Sequence, residues 1–266
     1  PIVVKADGLA AGKGVSICTT LKEALKKTKD ILDGKFKSSN KVLLEEFLEG
    51  EELSYFSIVD EKSYYFFGSA QDHKTVGEGD TGPNTGGMGA YSPSPLLTKT
   101  LEKKIKKKII DPTIKAMKDL GHAYKGFLYA GLMIKKGEPY LIEYNIRMGD
   151  PECQVIMMRL KTDLLKIIDH STKNKLNNLK IKWDNKNCIT IVLCARGYPS
   201  VYIKNSELKN LHNLQNDKNS QIFHSGTYVK NNKIYSNGGR VLNVTILENN
   251  LIKARDKSLK NIKKIK

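Results

Sequence analysis

The sequence predicts a mixed fold in which β-hairpins alternate with helices, followed by a smaller β-rich region. Two pairs of strand-like segments are each separated by a short turn, Leu53–Asp60 with Tyr64–Ala70 and Phe127–Ile134 with Tyr140–Ile146. Between the pairs, Leu97–Leu120 carries apolar residues four positions apart, which is the spacing of one helix face. The segment pairs are therefore predicted to be antiparallel hairpins on either side of a long helix.

Composition is that of an ordinary folded protein. The 266 residues suit one large domain or two smaller ones, and 39% of them are hydrophobic. The chain contains no run of eighteen apolar residues, so we expect no membrane-spanning helix and no membrane partner. The first residues lack the features of a signal peptide, and Pro1 stands in the middle of a predicted strand. We therefore expect further residues upstream. The four cysteines lack zinc-site spacing, which favours a reducing cytoplasm.

The first fifty residues predict two strands joined by a glycine-rich loop, then a helix and a third strand. Thr20 is a favourable N-cap, and Glu23 stands where it completes a capping box. The expected elements are strands Ile2–Lys5, Val15–Cys18 and Lys41–Phe47, with a helix from Thr20 to Leu32.

Glycine, proline and polar residues delimit the elements that follow the first hairpin. Residues 72–95 are expected to form one long loop, whose length favours a functional role. A helix is expected from Asp150 to about His170, with Asp150 as N-cap and Pro151 at the first helical position.

A polar segment, residues 172–186, is expected to be a linker between two domains, 1–171 and 187–266. The second domain is predicted to be small and rich in strands. Its expected elements are strands Ile189–Ala195, Gln221–Val229, Lys233–Tyr235 and Arg240–Leu247, with a helix from about Asn250.

The formal charge of +17 raises the alternative of a basic RNA-binding protein. However, only five of the 45 basic residues are arginine, the side chain whose planar fork suits phosphates and bases. Aromatic residues, which stack on single-stranded bases, are few in the Lys-rich segments. We therefore expect no nucleic-acid partner, and keep RNA binding as the alternative of a different class.

The first candidate for chemistry is the glycine-rich loop between the first two strands. Its glycines, Gly8, Gly12 and Gly14, allow backbone N–H groups to approach phosphate oxygens, and Lys13 adds positive charge. It is not a Walker A loop, which has a Ser or Thr after the lysine. Lys5 is a second phosphate candidate, because a lysine in an apolar strand needs an anionic partner. An ordinary glycine hairpin is the alternative interpretation.

The third strand ends in acidic and aromatic residues. Residues 45–48 precede a glycine, so this segment can act as a hinge whose backbone binds an adenine edge. A carboxylate beyond it, Glu52 or Glu51, can hold ribose hydroxyls. Solvated acids at a strand end are the alternative.

Polar residues alternate near the end of the predicted strand Tyr140–Ile146. The two-residue period of a strand places Glu143, Asn145 and Arg147 on one face. Two hard oxygen ligands beside a guanidinium suit Mg²⁺ that is held against phosphates. The helix expected after Asp150 adds an anion site at its N-terminus. A polar outer face of the strand is the alternative.

The predicted loop of residues 72–95 is rich in glycine, hydroxyl and amide groups, which can wrap a small polar substrate. His73 is either part of this binding loop or a structural histidine.

Four motifs occur in order along the chain and together resemble one family. They are Asp7–Gly14, Gln71–Lys74, Asp80–Pro93 and Glu143–Glu152, with shorter matches at Ala195–Pro199 and Asn237–Val241. The chain resembles glycinamide ribonucleotide synthetase, also called phosphoribosylamine–glycine ligase. The resemblance implies an α+β ATP-grasp fold, in which two α+β subdomains clamp ATP, followed by a small β-rich C-terminal domain. It also implies an N-terminal α/β domain upstream of Pro1, so that we expect residues 1–171 to be an incomplete ATP-grasp domain.

The resemblance also implies an activity, which is the ATP-dependent joining of glycine to 5-phosphoribosylamine through glycyl phosphate in purine biosynthesis. It implies Mg²⁺, with Mn²⁺ as an alternative, held by Glu143 and Asn145. The implied ATP-binding residues are Lys5, Gly8, Gly12, Lys13, Gly14, Glu45, Glu46, Phe47, Leu48 and Glu52. The implied catalytic residues are Arg147, Asp80, Asn84 and Gly87. The implied substrate-binding residues are His73, Lys74, Thr81, Gly82, Gly86, Met88, Asp150 and Arg240.

The expected partners are therefore ATP, glycine and 5-phosphoribosylamine, and the expected state is a monomer, with a dimer as the alternative. Another ATP-grasp carboxylate–amine ligase is the alternative enzyme. Such a ligase would lack the segment Asp80–Gly89 as it stands here.

Overall fold

The computed structural model describes residues 1–8, 10, 14–213 and 218–266. Two predicted phosphate ligands, Gly12 and Lys13, lie outside the described residues. Contacts divide the chain into two compact units, Pro1–Gly50 and Glu51–Lys266, which we call the N-terminal unit and the C-terminal unit. Within the described part of the chain, we find no helix with the length and apolar character needed to cross a membrane.

The N-terminal unit is a three-stranded antiparallel sheet with a helix on one face. The helix, α1 (Leu21–Asp30), begins with the predicted capping box, because Thr20 and Glu23 each accept a hydrogen bond from the other's backbone N–H. It runs into a π-helical turn, Ile31–Lys35, and its buried Ala24 packs on the sheet. The strands are β1 (Ile2–Ala6), β2 (Val15–Cys18) and β3 (Val42–Glu46), in the order β2-β1-β3.

The C-terminal unit is built on one large antiparallel sheet. Its strands are, in chain order, β4 (Glu51–Val59), β5 (Tyr64–Asp72), β6 (Thr75–Gly77), β7 (Thr81–Asn84), β8 (Gly89–Ser92), β9 (Gly126–Lys135), β10 (Glu138–Asn145), β11 (Asn187–Cys194), β12 (Glu207–Leu208), β13 (Ser220–His224), β14 (Thr227–Lys230), β15 (Lys233–Ser236) and β16 (Arg240–Glu248). Eight of them form the sheet β10-β9-β4-β5-β8-β11-β16-β13. The predicted hairpins β4–β5 and β9–β10 are confirmed.

Helices cover both faces of this sheet. Side chains alternate along β4, so that Leu53 and Tyr55 pack in a core with the long helix, whereas Phe56 and Ile58 pack in a second core with later helices. The long helix predicted before β9 is confirmed, as two helices joined by a π-helical turn at Lys106–Ile110. The helices are α2 (Lys99–Ile105), α3 (Asp111–Asp119), α4 (Glu152–Arg159), α5 (Leu164–Thr172) and α6 (Leu251–Ile262), with 3₁₀ turns at Leu176–Asn178 and Leu211–Asn213.

Two predictions around the candidate site are wrong. Residues 72–95 are not one structureless loop, because they contain β6, β7 and β8, and β8 pairs with both β5 and β11. The single helix predicted from Asp150 to His170 is two helices, α4 and α5. Asp150 does not cap α4, because its carboxylate accepts hydrogen bonds from the side chains of Arg240 and Gln154.

The segment of residues 172–186 contributes to the core of the C-terminal unit. Leu176 and Ile181 are buried in the same core as α4 and α5, and Trp183 packs against it. The predicted strand Gln221–Val229 is broken into β13 and β14. The division of the chain at residues 171 and 187 falls within the C-terminal unit and stays a prediction.

Candidate ATP, metal and substrate sites

One face of the N-terminal sheet carries two candidate ATP ligands on an open apolar surface. Lys5 is opposite Val15 on β2 and Leu43 on β3, so these side chains share a face. Val15, Ile17 and Leu43 are 53%, 55% and 47% exposed. Lys5 Nζ lies 2.5 Å from the Oε2 of Glu45 on the same face. Such a surface suits a flat base, with charged groups beside it.

Strand alternation separates the two acidic residues predicted to bind the nucleotide. Glu46 lies opposite Ile2, on the other face of β3 from Glu45. Phe47 and Leu48 follow the end of the strand and are half-buried. Glu45 therefore shares the open face with Lys5, whereas Glu46 does not.

The glycine-rich loop begins in a tightly packed position. A Cβ on Gly8 would lie 2.0 Å from the backbone oxygen of Ser38, and the Gly8 N–H donates to Ser39 Oγ at 3.2 Å. The loop closes where the Ala6 N–H donates to the Gly14 carbonyl at 2.9 Å. A side chain at position 8 would displace the Ser38 backbone, so the close packing explains why this residue is glycine.

In the C-terminal unit, residues 73–89 fold back on themselves through backbone hydrogen bonds. The Met88 N–H donates to the His73 carbonyl at 2.7 Å, and the His73 N–H donates to the Gly89 carbonyl at 2.9 Å. The N–H and hydroxyl of Thr85 both donate to the Lys74 carbonyl at 2.7 Å. We call residues 85–87 at the end of this hairpin the glycine turn.

A cavity of about 390 Å³ lies beside the hairpin and brings together three predicted site residues, His73, Asp80 and Met88. Asp80 has a positive φ of 57°, and its Oδ1 accepts a hydrogen bond from Thr75 Oγ1 at 2.9 Å. The His73 ring lies 5.6 Å from the ring of Tyr91. Three further predicted residues of the hairpin, Thr81, Gly82 and Asn84, are exposed on β7.

The guanidinium of Arg240 joins the glycine turn to the segment before α4. Its Nη1 donates to the carbonyls of Gly86 and Asp150, both at 2.7 Å, and its Nη2 donates to Asp150 Oδ2 at 2.9 Å. The Gly86 N–H donates to the hydroxyl of Tyr198 at 3.1 Å. Arg240 and Asp150, predicted as separate substrate ligands, are therefore each other's partners, and sequence reasoning missed Tyr198.

Asp72, at the end of β5, is a half-buried residue that sequence reasoning also missed. Its Oδ1 is shielded from solvent and has no hydrogen-bond partner in the described part of the chain. A Cβ on Gly87 would lie 2.7 Å from that oxygen. Burial, reinforced by the charge of Glu152, raises the pKa of Asp72 to about 8. Its place between Gln71 and His73 in a motif was the only signal for it.

Lys74 forms an ion pair with Glu52, the residue predicted to hold the ribose. Burial lowers the pKa of Lys74, but Glu52, together with Asp72 and Glu143, outweighs this effect and raises that pKa. The Lys74 ammonium is therefore expected to stay charged.

Glu152 is a buried acidic residue, with 3% of its surface exposed. Its Oε1 accepts hydrogen bonds from Ser54 Oγ at 3.0 Å and from the Tyr129 hydroxyl at 2.9 Å. These hydrogen bonds compensate part of the cost of burying a carboxylate. Burial and then the Glu152 charge raise the pKa of Tyr129 above its usual range. The carboxylate thus contacts strands β4 and β9, and no local sequence pattern indicates these contacts.

Glu143 and Asn145 lie together on β10, as predicted. Asn145 Nδ2 donates to Glu143 Oε1 at 3.2 Å, so the two side chains lie side by side. Arg147 does not continue this face, because β10 ends at Asn145 and the guanidinium donates to the Met148 carbonyl at 3.0 Å.

The pair fits Mg²⁺ better than a metal with an all-protein ligand shell. The described residues contain no cluster of three or more His, Cys, Asp or Glu side chains suited to a metal ion. Mg²⁺ keeps several waters and is held by one or two protein oxygens together with phosphates. One carboxylate and one amide are therefore a sufficient donor set.

A small antiparallel unit with a glycine-rich loop, and a larger antiparallel unit with an acid–amide pair at the end of a hairpin, place the chain in the ATP-grasp class. The family model described as the ATP-grasp (A) domain of phosphoribosylglycinamide synthetase matches residues 1–153, and the model for the C domain matches residues 188–266. The chain belongs to the phosphoribosylglycinamide synthetase family. The predicted family and α+β fold are thereby confirmed.

Similar proteins carry the corresponding names. The chain is 46% identical to a phosphoribosylamine–glycine ligase of Brucella melitensis, over 100% of the chain and 62% of the relative. It is 48% identical to one of Vigna unguiculata, over 97% of the chain and 85% of the relative. A crystal structure of phosphoribosylamine–glycine ligase from Thermotoga maritima matches with a TM-score of 0.89 and 34% identity, over 100% of the chain and 66% of that structure. The chain thus spans less than two thirds of the Brucella melitensis relative.

Proposed function

We propose that the chain takes part in joining glycine to 5-phosphoribosylamine, with conversion of ATP to ADP and phosphate, in purine biosynthesis. The observation that carries the proposal is the family match over residues 1–153 and 188–266, because these ranges hold every candidate residue. Residues 1–171 are proposed to be the ATP-grasp domain, and residues 187–266 the C-terminal domain.

Most of the proposed nucleotide ligands lie in the N-terminal unit. Lys5 and the glycine-rich loop would hold the phosphates, and the exposed apolar face around Val15 and Leu43 supports packing against the adenine ring. Residues 45–48 would bind the adenine edge through their backbone. Glu52, which forms an ion pair with Lys74, is the proposed ribose ligand.

The proposed metal ligands are Glu143 and Asn145, which supply two hard oxygens on one strand face. When bound there, Mg²⁺ neutralises charge on the phosphates. Mn²⁺ is proposed as its substitute. Arg147, exposed beyond the strand end, supplies a guanidinium that can donate to an acyl phosphate.

The chemistry proposed has two steps. The glycine carboxylate attacks the γ-phosphorus of ATP, forming a P–O bond while the bond to the ADP oxygen breaks. The amine nitrogen of 5-phosphoribosylamine then attacks the acyl carbon, a C–N bond forms, and phosphate leaves with the bonding electrons of the C–O bond. The nitrogen loses one proton to phosphate or solvent. The hairpin of residues 73–89, with His73 and Asp80 at its cavity, is proposed to position both substrates.

We also propose that the protein acts as a monomer in the cytoplasm, without a nucleic-acid partner; a dimer is the alternative. The four cysteines are all free thiols, which supports a reducing compartment.

The test is an assay of the purified full-length gene product with Mg-ATP, glycine and hydroxylamine. We expect glycine-dependent release of ADP, glycine hydroxamate from trapped glycyl phosphate, and ligated product when 5-phosphoribosylamine replaces hydroxylamine. Glu143→Gln is expected to lower turnover about 10²-fold or more at limiting Mg²⁺. Glu138→Gln, which removes a surface ion pair from the same strand, is the matched control.

Two outcomes would contradict the proposal. ADP release that does not depend on glycine, but depends on another carboxylic acid, would favour the alternative ATP-grasp ligase. Turnover of the Glu143→Gln protein equal to that of Glu138→Gln would remove Glu143 as a metal ligand.

A further inference from the structure

We propose that Arg240 is a positioning residue, which fixes the glycine turn so that the amine substrate, and not water, meets the glycyl phosphate. The proposal rests on the ligase function proposed above and assigns a role to a residue that lies 154 positions from the turn. It replaces the expectation that Arg240 binds a substrate directly.

The guanidinium is already committed to protein acceptors. It carries five N–H groups in a rigid planar fork, and three hydrogen bonds of 2.9 Å or less lead to Gly86 and Asp150. A fourth, weaker contact of 3.5 Å reaches the Gly87 carbonyl. The Asp150 carboxylate compensates its charge at 2.9 Å. A side chain held in this way is suited to fixing a backbone and not to capturing a ligand.

The turn is held from two sides by the C-terminal part of the chain. Both backbone polar groups of Gly86 are used: its carbonyl accepts from Arg240, and its N–H donates to the Tyr198 hydroxyl. A Cβ on Gly86 would lie 3.0 Å from Arg240 Nη2, so the fork lies directly against the glycine. These contacts fix the orientation of the peptide groups on either side of Gly86.

The position of the turn matters because the acyl phosphate has two fates. Attack by the amine gives product, whereas attack by water returns glycine and phosphate and leaves ADP formed without ligation. A displacement of about 1 Å in a positioning element can cost about 10²-fold in rate. A loosened glycine turn is therefore expected to slow the amine step while the first step, at the phosphates, continues.

The experiment compares Arg240→Lys with Arg196→Lys in the full-length gene product. Lysine keeps the charge of Arg240 but lacks the fork that reaches Gly86 and Asp150 together. Arg196 is exposed in the same part of the chain and serves as the matched control. We expect Arg240→Lys to lower kcat/KM for 5-phosphoribosylamine about 10²-fold. We further expect the KM for ATP to stay unchanged, and the ratio of ADP to ligated product to rise above one.

A second variant and a second measurement cover the case in which Arg240→Lys folds poorly. Tyr198→Phe removes only the hydroxyl that accepts from Gly86, and is expected to raise the same ratio by a smaller factor. Amide hydrogen exchange at residues 85–89 is expected to be faster in both variants than in Arg196→Lys.

The outcomes separate this proposal from the ligase proposal. An ADP-to-product ratio of one in Arg240→Lys, with wild-type exchange at the turn, overturns the positioning role. Equal losses in every kinetic parameter, with an unchanged ratio, also overturn it, because they indicate a loss of folded protein only. If the wild-type protein makes no ligated product, the ligase proposal fails. Amide exchange then still tests the contact with the glycine turn, because unchanged exchange in Arg240→Lys would show that Arg240 does not fix the turn.

Discussion

The open face of the N-terminal unit and the glycine turn of the C-terminal unit are held in different ways. The face is formed by three strands that pair within the first fifty residues, and it carries an ion pair between Lys5 and Glu45. The turn is held by Arg240 and Tyr198, which are 154 and 112 positions away along the chain. Local signals shape the first region, whereas the second depends on the completed fold.

The charged groups of the two regions also differ in their surroundings. Glu45 of the N-terminal pair has a side chain that is 39% exposed, so solvent screens part of the attraction. In the C-terminal unit, Glu152 is buried, and its charge helps to raise the pKa of Asp72, whose Oδ1 is shielded from solvent. Substitutions in the second region should therefore cost more than substitutions in the first.

The largest effect expected is a pH dependence of stability that comes from Asp72. Its folded pKa of about 8 lies above the ordinary value of 3.8, so between these values only the folded state holds the proton. The free energy of unfolding should therefore fall as pH rises from 4 to 8, by an amount on the order of a few kcal/mol. The measurement is urea denaturation of the wild-type and Asp72→Asn proteins across this range. Parallel curves for the two proteins would show that Asp72 titrates normally.

The elements that were predicted correctly are those with local signals. The capping box at Thr20 and both hairpins depend on residues close in sequence, and all three are confirmed. The eight-stranded sheet was not predicted, because it forms where β8 pairs with β11, about a hundred residues later. β8 has only four residues and begins at Gly89, and such a segment carries no strand signal of its own.

The candidate site divides in the same way. Strand periodicity correctly placed Glu143 and Asn145 together, because both lie on one strand. It failed for Arg147, since β10 ends before that residue. Sequence analysis identified Arg240 and Asp150 as candidate residues but did not predict their contact. The contact joins β16 to the segment before α4, which lies far away in the sequence. Glu152 was not predicted as a site residue, because its hydrogen-bond partners, Ser54 and Tyr129, are distant in the sequence.

The second effect concerns the space at the glycine turn. Gly87 has a φ of 109°, and a Cβ there would lie 2.5 Å from Pro151 Cδ. Gly87→Ala is expected to lower the free energy of unfolding by about 3 kcal/mol, as backbone strain adds to overpacking. Gly79→Ala is the control, because its φ of 67° is also positive but its Cβ would enter open space. Its expected cost is about 1 kcal/mol, and equal costs for both variants would contradict the close packing of the turn.

The third effect, a loss of ATP affinity, tests the face of the N-terminal unit. Lys5→Met keeps the length of the side chain but removes the cation that is proposed to contact phosphate. We expect the Kd for Mg-ATP to rise about tenfold, the scale of one hydrogen bond to a charged group. Calorimetric titration measures it, with Lys22→Met on the outer side of α1 as control. An unchanged Kd in Lys5→Met would assign Lys5 to its pair with Glu45 alone.

The smallest effect belongs to the most local feature, the capping box of α1. Thr20→Ala removes the oxygen that accepts from the Glu23 N–H and is expected to destabilise the N-terminal unit by about 1 kcal/mol. Thr20→Ser keeps that oxygen and should restore most of the loss, whereas helix propensity alone predicts that alanine is the better residue. Chemical denaturation, monitored by amide hydrogen exchange in residues 21–30, measures the difference in stability within this unit. If serine and alanine destabilise the helix equally, the cap contributes nothing, and the stability of α1 comes from packing of residues such as Ala24 on the sheet.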